Sequence, residues 1–571
     1  MEGDLRARIE REAETAALFN ALKHDSDAQV GAIMGPLMGD NPEFRPHGDA
    51  IPGIITPVID EVNDLSPAEK RERLGSLNPE LLEELDAEDE TDDRVLPDLP
   101  NVSEYDSVRM RLAPNPNGPW HLGSARMPAV IGTYKELYDG WMLCRFDDTD
   151  PETKRPDLEA YGEILDSIEY LGFEPDQVVK ASDRVETYYE HARKLIEAGG
   201  AYTCSCDGET FSELKNDGEP CPHRDKDVET VRSEFEAMIE GEYTSGEMVL
   251  RVRTDIEHKN PALRDWVGLR MVDTPHPRPE AAEYRCWPML DFQSGIDDHE
   301  FGITHIVRGI DLQDSAKRQA FVYEYFGWEY PELVHWGHVQ IDAYDVEMST
   351  STIKELVASG ELDGWDDPRA PTIASLRRRG IRGEAIVNAM TELGTSTSNV
   401  DLAMSSVYAE NRELVDDGAD RLFFVRDGVE KTLVGGPECA EPPIHPDHEE
   451  RGVREIPVGD SVLVEPDDVP PNGKRVWLKG YGPVRHTRNA FEFTGESIDI
   501  VRDGPVDVVH WVPAEESVPL RLRTMEGDDK GHAEPAVLDY PADEIVQFER
   551  IGFARIDRHD DEETVAYLAH P

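Results

Sequence analysis

The stretch from Ser107 to Asp150 constrains the fold of this chain more than any other. Val108, Met110 and Leu112 alternate with Arg109 and Arg111, the period of a strand, which puts the two arginines on one face. Proline and glycine at Pro114, Pro116, Gly118 and Pro119 then break the chain sharply. An amphipathic pattern runs from about Ser124 to Tyr138, with Ala125, Val130, Tyr134 and Leu137 apolar, and Trp141 to Phe146 reads as a second strand. A strand, a tight turn, a helix and a strand in that order predict an α/β unit.

The junction of turn and helix favours phosphate. Unpaired backbone N–H groups and the positive end of the helix dipole gather there. Gly118 and Gly123 let the backbone approach a ligand, and His121 can donate to a phosphoryl oxygen as charge develops on it. His-x-Gly alone fits an ordinary corner with a surface histidine equally well. The longer run from Arg111 to Arg126 is more specific. It resembles the P-x-P-x-G-x-x-H-x-G signature of class I aminoacyl-tRNA synthetases, in the R-x-A-P-x-P-x-G form of the glutamyl and glutaminyl branch.

Charge sets the solvent. The chain has 120 Asp and Glu against 58 Lys and Arg, a formal net charge of -62, spread along its length rather than gathered in a tail. With 38% apolar residues and 9 Trp it can still build sizeable cores, which argues against disorder. The expectation is a halophilic surface, since at about 1 M salt the Debye length falls to about 3 Å and carboxylate repulsion is screened. There is no apolar signal core at Met1–Arg6, no apolar run near the length of a membrane span and, with 6 Cys, no disulfide framework. A cytoplasmic protein with no membrane partner is expected.

Along the chain, residues 1–100 read as a helical extension, similar to that of archaeal glutamyl-tRNA synthetases. Within it Ala13, Ala16, Leu18, Phe19 and Leu22 form an apolar face, Val30–Gly39 a packed helical turn, Leu65-Ser-Pro a capped helix start, and Asp86–Asp93 an acidic linker. Residues 101–203 form the first half of a Rossmann-type catalytic domain, with a helix marked by Leu158, Tyr161, Ile164, Leu165, Ile168 and Leu171 and another from about Arg184 to Glu197. Cys204, Cys206, Cys221 and His223 suit tetrahedral zinc, although free thiols in a reducing cytosol also fit; they open an insertion over 204–285. By resemblance this insertion binds the tRNA acceptor end. The second half, 286–355, has a strand at Thr304–Val307 that places Arg308 at a strand end. Helices over 356–405 carry the basic run Arg377–Arg382, which suits either tRNA phosphate or a partnered surface patch. From about 406 to 571 the period changes to 2, with strands near 422–425, 461–464, 476–479, 508–512 and 546–551. One or two barrels are expected there, similar to the β-barrel anticodon-binding region of the glutaminyl and archaeal glutamyl enzymes.

The resemblance implies a multidomain archaeal-type glutamyl enzyme. It would use ATP with Mg²⁺ to make glutamyl-adenylate and pass L-glutamate to tRNA(Glu), with tRNA(Gln) as a second acceptor. A glutaminyl enzyme and a non-catalytic tRNA-binding paralogue are the alternatives. ATP would lie against Pro114, Gly118, His121, Gly123, Met348 and Ser349. The amino acid would meet Arg111, Ala113, Asn115, Trp287, Leu290, Ser294 and Arg308, with Asp147 on its ammonium and the two arginines on its side-chain carboxylate. Ser349, Ser351 and Lys354 would join His121 and Ser124 in catalysis. They fall where the family carries K-M-S-K-S, but here Glu347 and Thr350 replace its lysines, so a polar loop without a catalytic role also fits.

Lowering the salt exposes the carboxylates to one another. The protein is expected to unfold as ionic strength falls towards about 0.05 M, followed by circular dichroism and activity; full activity retained there would contradict the halophilic reading.

Overall fold

The computed structural model describes residues 3–23, 28, 30–40, 44, 50–63, 65–79, 81, 96–341, 344, 346, 348–495 and 506–571. The acidic stretch Asp86–Asp93 and Glu347 lie outside them. The chain forms two compact units, Met1–Pro97 and Asp98–Pro571.

In the first unit, helices Gly3–Lys23, Val30–Asp40, Ile51–Asn63 and Pro67–Leu77 enclose a core that includes Ile9, Ala13, Ala17, Leu18, Ile33, Leu37 and Ile55. Ala17 and Ala21 take the innermost positions of the first helix, so Ala16, Phe19 and Leu22 pack at its margin. Ser66 caps the fourth helix: its side chain accepts from the Glu69 N–H, and the Glu69 carboxylate accepts from the Ser66 N–H at 2.9 Å.

The second unit is built on a parallel sheet, β1 (Arg109–Leu112), β2 (Trp141–Phe146) and β3 (Gln177–Lys180), in that order. One 3₁₀ turn, Leu122–Ala125, leads into the helix Arg126–Leu137 between β1 and β2. Leu137 ends this helix and Leu158 precedes the next, Ala160–Tyr170, so both are exposed where the apolar pattern placed them inside.

Four antiparallel strands follow: β4 (Ala201–Cys204), β5 (Val249–Val252), β6 (Val267–Met271) and β7 (Cys286–Pro288). The stretch at Cys286, expected to open the second half of the nucleotide fold, instead returns antiparallel along β6 and completes this sheet.

The parallel pair β8 (His305–Gly309) and β9 (Glu332–Trp336) comes next. β8 meets β1 at one place. The Thr304 N–H donates to the Arg109 carbonyl at 2.9 Å, and the Arg109 N–H donates to Thr304 Oγ1 at 2.8 Å. The carboxyl ends of β1 and β8 part from there, the crevice where open α/β sheets bind ligands.

Helices Thr350–Ser359, Ile373–Arg379, Gly383–Glu392 and Met404–Val415 lead to the C-terminal region. The last corrects the expected start of β structure at 406: Val407, Asn411 and Val415 are buried at helical spacing, and strands begin at Arg421. Two seven-stranded sheets follow. The outermost strands of one, Arg421–Leu422 and Phe424–Arg426, are separated by a single residue; those of the other, Val508–Val509 and Val512–Pro513, by two. Each sheet therefore curls until its edges meet, as a barrel does. Two arginines of the basic run form a partnered joint to the C-terminal sheet, while Arg377 and Arg382 stay exposed. Arg378 pairs with Asp366 at 2.7 Å and Asp557 at 3.2 Å, and buried Arg379 donates to the Leu568 and Ala569 carbonyls.

Candidate active site

One continuous cleft crosses the carboxyl ends of β1, β8 and β9, with Gly309 and Trp336 on its wall throughout. Its first part is lined by Arg111, Ala113, Arg145, Asp147, Leu290, Ser294 and Arg308. Its middle is lined by Pro114, Asn115, Gly118, Gly123 and Ser124, and its far part by His121, His338, Val339 and Met348. Buried polar atoms without a partner gather along it: Asn115 Oδ1, His121 Nδ1, Arg126 Nε and Nη1, and Arg308 Nε. Buried polar groups are normally paired, so this row marks a surface prepared for a polar ligand.

The turn after β1 is held from both sides. The Pro114 carbonyl accepts from the Asp147 N–H at 2.9 Å, and Asn115 Nδ2 donates to the Asp147 carbonyl at 2.9 Å. Beyond it, the Leu122 N–H donates to the Pro371 carbonyl and the Ile373 N–H to the Trp120 carbonyl. Two glycines sit where space is short. A Cβ at Gly118 would lie 2.6 Å from Thr350 Cγ2, and one at Gly123 would lie 3.2 Å from the His121 ring. Burial pushes the His121 pKa down, so the imidazole is neutral at neutral pH, with Nε2 3.4 Å from Ser124 Oγ.

Beneath the first part of the cleft lies a buried ionic cluster. Arg145 is fully buried in β2; its Nε donates to Asp147 Oδ1 at 2.7 Å and its Nη1 to Asp298 Oδ1 at 3.0 Å. Arg111 grips Asp298 with two nitrogens, at 3.1 and 3.3 Å. Asp297 takes Arg184 at 2.8 Å and the Tyr188 hydroxyl at 2.6 Å. Burial alone would raise the Asp298 pKa; Arg111 and Arg145 outweigh it and hold the carboxyl below its usual range.

The two arginines expected to act alike therefore differ. Both line the same pocket, but Arg111 is ion-paired, whereas Arg308 has no carboxylate within ion-pair distance among the described residues. Its Nη2 makes only long contacts, 3.5 Å to Gln319 Oε1 and 3.4 Å to the Tyr330 hydroxyl. Burial pushes its pKa down. Asp147 is likewise not a free carboxylate, since Arg145 and Gln293 Nε2 both bind it.

Trp287 is a correction. It is fully buried, stacks on His276 with ring centroids 5.2 Å apart and lies in the core of the insertion sheet, because β7 belongs there. Leu290 and Ser294, on the helix Leu290–Glu300, do reach the cleft. Of the loop at 348–354, Met348 lines the far part and Thr350 the middle. Ser349 precedes the next helix without a capping hydrogen bond from its side chain, and Ser351 is exposed. Lys354 pairs with Asp157 at 3.3 Å and does not line the cleft.

The ligand atoms of Cys204, Cys206, Cys221 and His223 all lie within 4.8 Å of one another. Cys204 Sγ is 3.8 Å from Cys221 Sγ and 3.7 Å from His223 Nδ1, and Cys206 Sγ is 3.3 Å from the same nitrogen. Tetrahedral bonds of about 2.3 Å to sulfur and about 2.0 Å to nitrogen require edges of about 3.8 and about 3.5 Å, so the four fit such an ion. Sequence reasoning gave no role to Arg126, Arg145, Gln293, Asp298 or Trp336. A lone arginine inside the apolar run Trp141–Phe146, and two adjacent aspartates within an otherwise packed helix, are the signals that could have found part of this cluster.

A family model described as "tRNA synthetases class I (E and Q), catalytic domain" matches residues 107–417. Two models of the anti-codon binding domain of the same group match 419–502 and 508–557. A protein named Glutamate--tRNA ligase from Natronomonas pharaonis is 80% identical over 571 residues, 100% of both chains. One of the same name from Haloarcula marismortui is 69% identical over 100% of both, and one from Methanosarcina mazei 44% identical over 98% of both.

Arg145 neutralises carboxylates that are buried or nearly so. Arg145→Met is expected to lower stability by about 3–5 kcal/mol, read from thermal unfolding in molar KCl, because the aspartates stay buried without their partner.

Proposed function

This chain belongs to the class I aminoacyl-tRNA synthetases of the glutamyl and glutaminyl branch, as a glutamate–tRNA ligase of the archaeal type, and on that premise we propose how its cleft works. The enzyme joins glutamate to tRNA using ATP. In our reading tRNA(Glu) is the acceptor, with tRNA(Gln) as a second acceptor to be scored in the same assay, and the reaction passes through glutamyl-adenylate.

The observation that carries the reading is the unpaired, buried guanidinium of Arg308 at the end of the cleft. An acidic side chain is the ligand that completes it, since a guanidinium fork binds carboxylate through paired N–H bonds. Arg111 assists from across the pocket with its Nη1, which its bond to Asp298 leaves free. Asp147, Ser294 and Leu290 frame the rest of the amino acid.

The triphosphate then lies over the turn at 118–124. His121 offers an N–H, backbone N–H groups offer more, and Arg126 supplies charge with two unpaired nitrogens. Mg²⁺ carried by the triphosphate would neutralise its oxygens, and Asp311 is the carboxylate that faces this part of the cleft. The glutamate α-carboxylate attacks the α-phosphate and pyrophosphate leaves; the 2′-hydroxyl of the terminal adenosine then attacks the glutamyl carbonyl and AMP leaves. Catalysis is chiefly positioning and charge stabilisation. Ser349, Thr350 and Met348 approach the phosphates, and Lys354 would have to leave Asp157 to join them.

Zinc is the ion we assign to the three thiols and His223, in a structural role that ties Cys204 at the end of β4 to the loop at Cys221. No described helix is long and apolar enough to cross a membrane. From the formal net charge of -62 we place the enzyme in a cytoplasm of molar salt.

ATP–pyrophosphate exchange in molar KCl with tRNA present should depend on glutamate. His121→Ala should slow it by roughly a hundredfold to a thousandfold while tRNA binding survives; unaltered exchange would refute the role. Metal analysis of protein purified without chelator should find about one zinc per chain, lost in Cys206→Ser; a metal-free chain removes the assignment.

A further inference from the structure

Behind the amino-acid pocket lies a chain of hydrogen bonds that the reaction as described does not use. Gln319 sits on the helix Gln313–Phe326 and is fully buried. Its Oε1 accepts from the Tyr330 hydroxyl and, at 3.5 Å, from Arg308 Nη2. Its Nε2 donates to Ser294 Oγ at 2.6 Å. Space for this is made at Gly295, where a Cβ would lie 3.2 Å from Gln319 Cγ.

The amide can face only one way. A guanidinium has no acceptor, so the end beside Arg308 must be the oxygen. The nitrogen is thereby turned to Ser294, whose oxygen accepts from it. A hydroxyl carries a single proton, and Ser294 keeps that proton for another partner. Ser294 lines the pocket, and its hydroxyl has no second partner among the described residues. Arg308 Nε is likewise buried and unpaired. What Gln319 leaves turned towards the substrate is therefore a set of donors. A carboxylate has only acceptors and satisfies them; a carboxamide turns an NH₂ group towards a guanidinium that has no acceptor, and the carboxylates lining the pocket, Asp147 and Asp291, are already held by Arg145 and Arg318.

We propose that Gln319 is a positioning residue for side-chain specificity: its fixed amide presents the Ser294 hydroxyl and the Arg308 guanidinium as donors, and so sets the preference for glutamate over glutamine. The inference rests on the reading of this cleft as a glutamate site. Gln319→Glu tests it by reversing both effects. The new carboxylate pairs with Arg308 and takes that fork away, and it accepts the Ser294 proton, which turns the hydroxyl into an acceptor towards the pocket.

The measurement is tRNA-supported ATP–pyrophosphate exchange in molar KCl, with glutamate and glutamine as separate substrates. The unsubstituted enzyme should prefer glutamate. Q319E should lower the ratio of the two kcat/KM values roughly ten- to a hundredfold, with KM for ATP unchanged. A loss of structure would reduce both substrates alike and leave that ratio in place. Tyr330→Phe, of the same shape but without the hydroxyl, should lower the ratio less, and Ser294→Ala should lower it with folding intact. If Q319E does not fold, Ser294→Ala decides: a ratio within about twofold of the parent's, in that variant or in folded Q319E, overturns the inference while the glutamate reading stands. No glutamate-dependent exchange in the parent overturns both.

Discussion

The cleft depends on Arg145. From inside β2 this one guanidinium reaches Asp147 at the end of its own strand and Asp298 on the helix Leu290–Glu300, with Asp297 3.8 Å away. Those carboxylates in turn hold Arg111 on β1 and Arg184 at the start of the helix Val185–Glu197. Three guanidinium groups and three carboxylates thus share one buried space, and their charges balance. Such a cluster adds little net stability for its desolvation, but it tolerates no missing member. Its value lies in position. It ties the two halves of the nucleotide fold together beneath the cleft, where the backbone joins them near Thr304.

A balanced cluster also leaves Arg308 as the surplus. In a chain of formal charge -62, a buried cation with no carboxylate partner is a local inversion of the surroundings. On the reading proposed above, it keeps the pocket attractive to an anionic side chain while the outer surface repels anions in general. The same surface must also accept tRNA, and phosphate contacts weaken as salt rises. Of the basic run Arg377–Arg382, Arg378 and Arg379 are spent on joining the connector to the C-terminal sheet, which leaves the exposed Arg377 and Arg382 without an ion pair among the described residues. Shape and unstacked bases are the recognition terms that salt affects less.

Much of this was legible in the sequence, and for identifiable reasons. The strand, turn and helix at 109–137 and the strand Trp141–Phe146 follow from periodicity and from proline and glycine, which act locally. The four metal-type ligands and the Ser66 cap are also local patterns. What the sequence hid depends on partners far away along the chain. Trp287 looked like a pocket residue until β7 paired with β6 and buried it. Arg111 and Arg308 looked equivalent until Asp298, 187 residues from Arg111, took one of them. Lys354 looked available until Asp157 met it. The helix Met404–Val415 is hard to separate from the strands that follow, because its buried positions include a polar one, Asn411, and its apolar spacing is sparse.

The self-meeting sheets of the C-terminal region have a further bearing on life in brine. Concentrated electrolyte strips an acidic surface of the mutual repulsion that keeps molecules apart, while it strengthens every apolar attraction. A protein there cannot trust its charge to prevent strand-to-strand aggregation. By bringing first and last strands within one or two residues of each other, both sheets leave little unpaired backbone for a neighbouring molecule to extend. Colloidal stability in this part of the molecule is thus a matter of topology rather than electrostatics.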